Sequence, residues 1–230
     1  MADNRVTKKW MKHHWSYNWW KYLLLAFVCA VTVDVAFTMT AYRPPEEKKI
    51  EVYVLNDFCN AVAMQEELSP LFFAAYPEQE EFTVLNINLT GGDLYAPMQF
   101  STYVAAQQGD VCLMPRSEVD KLAADGAEYA FVELTPYIER GVIDAEGIDL
   151  SGGMMKRSTG EMGVYGIPAD SLYGLLEYGN DPEDSLLCIM DYSGNEERAA
   201  GVIGLMLERY RTEKPEGYGG EARQTQTPLF

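Results

Sequence analysis

Twenty consecutive residues, Tyr22 to Ala41 (YLLLAFVCAVTVDVAFTMTA), contain a single charged side chain, Asp34. At about 1.5 Å of rise per residue, a helix of that length reaches about 30 Å, the thickness of a bilayer's hydrocarbon core. A membrane-crossing helix over 22–42 is therefore the first expectation. Asp34 reads as a carboxylate near one interface rather than as an intramembrane pairing site, because the run offers no second embedded polar group to pair with it.

The flanks orient the helix. Trp10, Trp15, Trp19 and Trp20, all the tryptophans of the chain, cluster before it with Tyr17 and Tyr22, and Tyr42 follows it. Amphipathic rings favour such interfacial positions. Residues 1–21 carry Arg5, Lys8, Lys9, Lys12 and Lys21 against Asp3. The positive-inside rule then makes 1–21 a cytoplasmic flank and places everything after the helix outside the cell membrane. A cleaved signal peptide is the rival, but its apolar region is usually shorter and Thr38-Met39-Thr40 lacks the small residues of a cleavage site. Ala26-Phe27-Val28 before Cys29 likewise departs from a lipoprotein signal, so an uncleaved anchor is expected.

Beyond Arg43 the chain holds 12 basic against 33 acidic side chains. Such a surface repels nucleic-acid phosphates and anionic lipid headgroups, so no nucleic-acid partner is expected. Residues 43–49 (RPPEEKK) read as a proline-stiffened linker, 50–212 as one domain long enough to bury a core, and 213–230 as a disordered tail.

Within 50–212 the pattern alternates. Ile50–Leu55 reads as a strand; Asn60–Tyr76 as a helix divided at Ser69-Pro70; Glu81–Leu89 as a strand; and the stretch from Thr90-Gly91-Gly92-Asp93 to Gln108 as a turn and helix. Asp110–Met114 is an uninterrupted apolar run, as in a strand covered on both faces. Ser117–Ala124 reads as a helix, Phe131–Leu134 as a strand and 141–162 as a long loop. Val164–Pro168, Ser171–Leu176 and Ser185–Met190 read as strands, and a helix capped by Asn195 runs to Tyr210 before a frayed segment from Arg211 on. This order predicts an α/β domain with a mostly parallel sheet and helices on both faces.

Four phrases occur in sequence: IEVYVLND, GDVCLMPRSEVDKLAADGAEYAFVELTPYI, VYGIPAD and LLCIMDYSGNEERAAGVIGLMLERY. Together, over about residues 50–210, they resemble the first lobe of extracellular solute-binding proteins of the periplasmic-binding type II class. The resemblance implies one lobe of that two-lobed fold, because the chain passes from VYGIPAD to the closing helix with no room for a second. It also implies a non-enzymatic binding or interaction protein that recognises another membrane or cell-surface protein or contributes half of a ligand cleft. Its alternative is the binding component of an ABC-type importer for a small solute such as a sugar. The segment WSYNWWKYLLLAF resembles the anchors of small membrane-tethered proteins of Gram-positive anaerobes, which implies a bacterial cell surface.

The residues narrow the chemistry. Both histidines, His13 and His14, precede the apolar run, so the outer part lacks the base of Ser-His-Asp or Cys-His catalysis and any histidine zinc ligand. Phosphate-loop, Ser-x-x-Lys and Cys-x-x-Cys patterns are absent as well. No enzyme activity, cofactor or metal is expected. Cys59, Cys112 and Cys188 are an odd set; buried free thiols are favoured over a redox pair. The acidic groups Glu78, Glu80 and Glu81, or Asp144, Glu146 and Asp149, lack the spacing of a calcium loop and read as solvated charge.

In an open α/β sheet, ligands meet the loops after the carboxyl ends of the strands. Those loops hold Asn56, Asp57, Thr90, Gly91, Gly92, Asp93, Pro115, Arg116, Ala169 and Asp170. The candidate binding residues are Asn56, Asp57, Gly92, Asp93, Arg116 and Asp170. Arg116, a cation among carboxylates, is expected either to hold an anionic group or to pair with Asp57 or Asp93.

Overall fold

The computed structural model describes residues 8–42, 44–215 and 218. Most of the expected tail, and the first seven residues of the expected cytoplasmic flank, lie outside them. The chain divides into two compact units, Met1–Arg43 and Pro44–Phe230.

The first unit is one helix, α1 (Lys8–Thr40). Its segment Asn18–Thr40, 23 residues, is long and apolar enough to cross a membrane. At about 1.5 Å per residue that segment is about 34 Å long.

The second unit is built on a five-stranded sheet. Its strands are β1 (Lys49–Val54), β2 (Glu81–Asn86), β3 (Val111–Pro115), β6 (Gly166–Pro168) and β7 (Ser185–Ile189), in the order β2-β1-β3-β7-β6. β1 pairs parallel with β2 and β3, whereas β7 runs antiparallel to both β3 and β6. Four strands thus share one direction and β7 alone is reversed, so the sheet is mostly parallel.

Side-chain alternation divides the core. Ile50, Val52 and Val54 of β1 face one side with Val111, Leu113, Leu187 and Ile189. There they meet α2 (Ala61–Ala75), through Met64, Leu68 and Phe72, and α6 (Glu196–Tyr210), through Ala199, Val202, Ile203 and Met206. On the other side Tyr53, Cys112, Met114, Leu186 and Cys188 pack against Phe100 of α3 (Ala96–Ala105) and Val119 of α4 (Arg116–Leu122). Full burial of each such side chain is worth about 1.5–3 kcal/mol. Helices therefore cover both faces, as the alternating pattern predicts. A short helix, α5 (Thr135–Glu139), and a two-stranded hairpin of β4 (Met154–Lys156) and β5 (Met162–Val164) complete the unit.

Several local expectations change. Pro70 does not divide its helix; α2 runs unbroken through it. The lost backbone hydrogen bond is offset locally by burial of Leu68 and Phe72 on either side, and by Phe72 stacking on Phe82 at 4.9 Å between ring centroids. Phe131–Leu134 forms a single bridge, Phe131 to Met190, rather than a strand. Ser171–Leu176 is not a strand either. Tyr173–Tyr178 coils into a 3-10 helix whose Gly174 lies against the Tyr210 backbone, where an added Cβ would sit 2.9 Å from the Tyr210 Cα. The 141–162 segment contains β4 and a 3-10 turn, Leu150–Gly153. Asn195 stands at the N-cap of α6 without capping it; its amide donates instead to the carbonyls of Glu46 and Lys49. Residues 211–214, read as the start of a frayed segment, are tied down, by Arg211 to Asp144, Thr212 N–H to the Ser171 carbonyl, and Lys214 to Glu183.

All four cysteines are free thiols, with Cys59, Cys112 and Cys188 buried. Cys112 and Cys188 face each other across β3 and β7. Burial pushes the Cys59 thiol up to about 11 and raises those of Cys112 and Cys188 well above the ordinary thiol value. Because thiolate is the reactive form, a Cys29→Ser protein should take up no maleimide while folded and three equivalents in guanidinium. Labelling of the folded protein would contradict this packing.

Candidate functional site

The carboxyl ends of β1, β2, β3 and β6 open on one edge of the sheet, where the turn before β7 joins them. Two groups of side chains line it. In the first, the loop after β1 is bound to the loop after β2. Asp57 Oδ1 accepts from Phe58 N–H and from Asn88 Nδ2, Asn86 Nδ2 donates to the Asp57 carbonyl, and Thr90 Oγ1 donates to the Asn56 carbonyl at 2.5 Å. Gly91 N–H and Thr90 N–H both donate to Asn88 Oδ1. Gly92 sits at φ 75° with open space where a Cβ would be, a turn position suited to glycine. Asp93 Oδ1 accepts from Tyr95 N–H and so aims the chain into α3.

The second group centres on Arg116. Its Nε lies 3.3 Å from Asp184 Oδ1, and its Nη1 donates to the Gly152 carbonyl. Asp170 Oδ1 accepts from Asp184 N–H. Arg116 therefore pairs internally, but with Asp184 rather than with Asp57 or Asp93. Ala169 is buried, and Pro115 is half-buried.

Asn56 joins the two groups from beneath. It is buried and donates through Nδ2 to Asn180 Oδ1 (3.2 Å), the Asp181 carbonyl (2.6 Å) and Ser185 Oγ (3.1 Å), while its Oδ1 accepts from Asn180 Nδ2 at 2.8 Å. That side chain supports the edge and presents nothing to a ligand. Asp57, Gly92, Asp93, Arg116 and Asp170 retain exposure.

Sequence reasoning overlooked the apolar component. Phe58, Leu94, Tyr95 and Met98 are 59%, 88%, 75% and 67% exposed, and each belongs to the loops after β1 and β2 or to the first turn of α3. A signal was available, namely large apolar side chains inside segments that otherwise read as polar turns. They lie on two neighbouring loops that the Asn88 to Asp57 hydrogen bond ties together, with the Phe58 ring beside Gly179.

Two concavities lie elsewhere. One of about 290 Å³, lined by Lys49, Glu51, Gln108, Asp110 and Ser193 among others, sits at the amino edge of the sheet. The other, about 400 Å³, lies beside Glu133, Arg157 and Tyr165. In the first, Asp110 is buried and accepts from Glu51 N–H, Ser193 Oγ and Asn195 Nδ2. Burial raises its pKa above the ordinary carboxylate value, and these hydrogen bonds oppose the rise. The folded state then binds this proton more tightly than the unfolded state. Asp110 favours folding increasingly as pH falls from neutrality through the raised pKa, and that contribution is lost at higher pH. In urea titrations, wild type should gain stability relative to Asp110→Asn on acidification from neutrality down to the ordinary carboxylate pKa of about 4. A gap that stays flat or narrows would contradict the assignment. No cluster of three or more metal-ligating side chains occurs among the described residues.

No family model matches the chain, and no curated protein matches it. Parts of it align with solved structures. An extracellular solute-binding protein family 1 structure from Alicyclobacillus acidocaldarius subsp. acidocaldarius DSM 446 is 20% identical over 53% of this chain and 28% of its own, with a TM-score of 0.38. The apo-form of RafE from Streptococcus pneumoniae is 18% identical over 55% and 29%, with a TM-score of 0.33. The N-glycan transport solute binding protein NgtS from the same species, in complex with Man1GlcNAc, is 12% identical over 53% and 24%, with a TM-score of 0.31. This chain thus spans under a third of the length of each. Its own α/β architecture is defined by the sheet order and helix placement above.

Proposed function

We propose that this chain is a membrane-anchored, extracytoplasmic, non-enzymatic binding protein that recognises another membrane or cell-surface protein through the carboxyl edge of its sheet. One observation carries the reading: Phe58, Leu94, Tyr95 and Met98 stand exposed there beside Asp57 and Asp93. A soluble domain spends free energy keeping such side chains in water, and a protein partner that covers them recovers it. The apolar segment of α1 supplies the anchor, with residues 1–21 inside.

A second reading is the solute-binding component of an ABC-type importer. The exposed rings of Phe58 and Tyr95 favour it, since aromatic faces beside carboxylates suit a sugar. The open geometry opposes it, because small ligands are held in clefts that bury most of their surface. Calorimetry on the full chain in phosphatidylcholine nanodiscs, against mono- and oligosaccharides, separates the two. The first reading expects no heat of binding. Saturable micromolar binding of a sugar by the monomeric protein would replace it with the second.

A further inference from the structure

The distribution of charge over the domain bears on the nature of the partner. From Pro44 to Lys214 the chain carries eleven lysines and arginines. Ten of them sit within 4 Å of a carboxylate, many in specific pairs such as Arg140 with Glu197 at 2.8 Å, Lys48 with Glu80 and Arg209 with Glu67. Lys156 is the exception among the described residues. The cations are thus neutralised locally, and the surplus carboxylates set the outward field. At the carboxyl edge, Asp57, Asp93 and Asp170 join no ion pair among the described residues, and Arg116 is held by Asp184.

Resting on the carboxyl-edge reading, we infer that the exposed apolar side chains of the two loops after β1 and β2 dock a cationic protein segment. Such a segment has one or two large apolar side chains that cover Phe58, Leu94, Tyr95 and Met98, flanked by lysines or arginines that reach Asp57 and Asp93. Apolar anchors at the centre provide affinity, and opposite charges at the rim provide selection and fast encounter. A second copy of this chain is the poorer occupant, because it would bring the same carboxylates against these.

Two designed peptides test this, identical in leucine and phenylalanine content, one with four lysines and the other with four glutamates. Each is titrated against the full chain in phosphatidylcholine nanodiscs, which carry no net lipid charge. The lysine peptide is expected to bind at least about tenfold more tightly. Its binding should weaken by about tenfold or more in the Phe58→Ser/Tyr95→Ser double variant and in Asp57→Asn/Asp93→Asn. Asparagine at 57 and 93 keeps the oxygen that accepts the local N–H groups, so the loops remain formed, which circular dichroism verifies. Asp120→Asn/Asp125→Asn, away from this edge, should leave binding unchanged. Equal binding of the two peptides, or equal loss in the control pair, overturns the inference, as does self-association that disappears with Phe58 and Tyr95. If neither peptide binds while a cross-linker at Tyr95 still captures a defined partner, the cationic inference falls and the carboxyl-edge reading stands.

Discussion

Asn56→Leu is expected to lower the folding free energy by about 3 kcal/mol, although leucine is close to asparagine in size and the site is fully enclosed. The asparagine makes a reciprocal amide pair with Asn180 and also donates to the Asp181 carbonyl and Ser185 Oγ. Leucine removes one partner from each and leaves the fully buried Asn180 amide without the Asn56 donor and without its nearer acceptor, so that only the Phe58 carbonyl at 3.4 Å remains to it. Unpaired buried polar groups cost about 1–3 kcal/mol each. For a unit of this size the thermal midpoint should fall by roughly 6–12 °C. Asp93→Asn, on the exposed rim, should change it by no more than about 0.5 kcal/mol. A loss under about 1 kcal/mol for Asn56→Leu would mean that the amide pair does not hold the edge together.

Gly153→Ala should be of similar severity for a different reason. Gly153 is buried in the 3-10 turn that crosses the start of β6, and an added Cβ would sit 1.7 Å from the Gly166 carbonyl oxygen. That neighbour is sheet backbone and cannot rotate aside, so the turn or the strand must shift. Overpacking of this kind costs about 3 kcal/mol, where Gly147→Ala should cost only about 1 kcal/mol. Gly147 has φ 78° and open space around its Cβ position, so strain alone acts there. The Gly152 carbonyl also accepts from Arg116. Displacing the turn should consequently loosen Arg116 and Asp184 at the candidate site. Chemical denaturation of both variants measures the difference, and equal losses would refute the close approach.

What the sequence revealed, and what it did not, follows from the range of the forces involved. The strands Ile50–Leu55 and Asp110–Met114 and the helix ending at Tyr210 were legible because hydrophobic period is a local property. The reversal of β7 was not, since an apolar run carries no sign of direction. Ser171–Leu176 has strand-like composition, yet the close approach of Gly174 to Tyr210 selects a 3-10 helix. Pro70 reads locally as a breaker and is overruled by the packing of Phe72. At the site, the loops after the strands were predictable from topology, but the side chains within them were not sorted. Arg116 finds Asp184, 68 positions on, and Asn56 finds Asn180 across the sheet. No pattern of residue types distinguishes those acceptors from nearby Asp57 or Asp93. The exposed apolar residues were a different omission: Phe58, Leu94 and Tyr95 were visible as apolar letters among turn formers, and only their exposure gave them meaning.

Partner binding at the carboxyl edge of a membrane-tethered domain is the function proposed for this chain. Its most direct test places a photoreactive amino acid at position 95, at 58 and, as a control, at 125 in the full chain in its native membrane. A discrete adduct of one size is expected from 95 and 58, and none from 125. No adduct from 95 and 58, or the same adducts from 125, would contradict it.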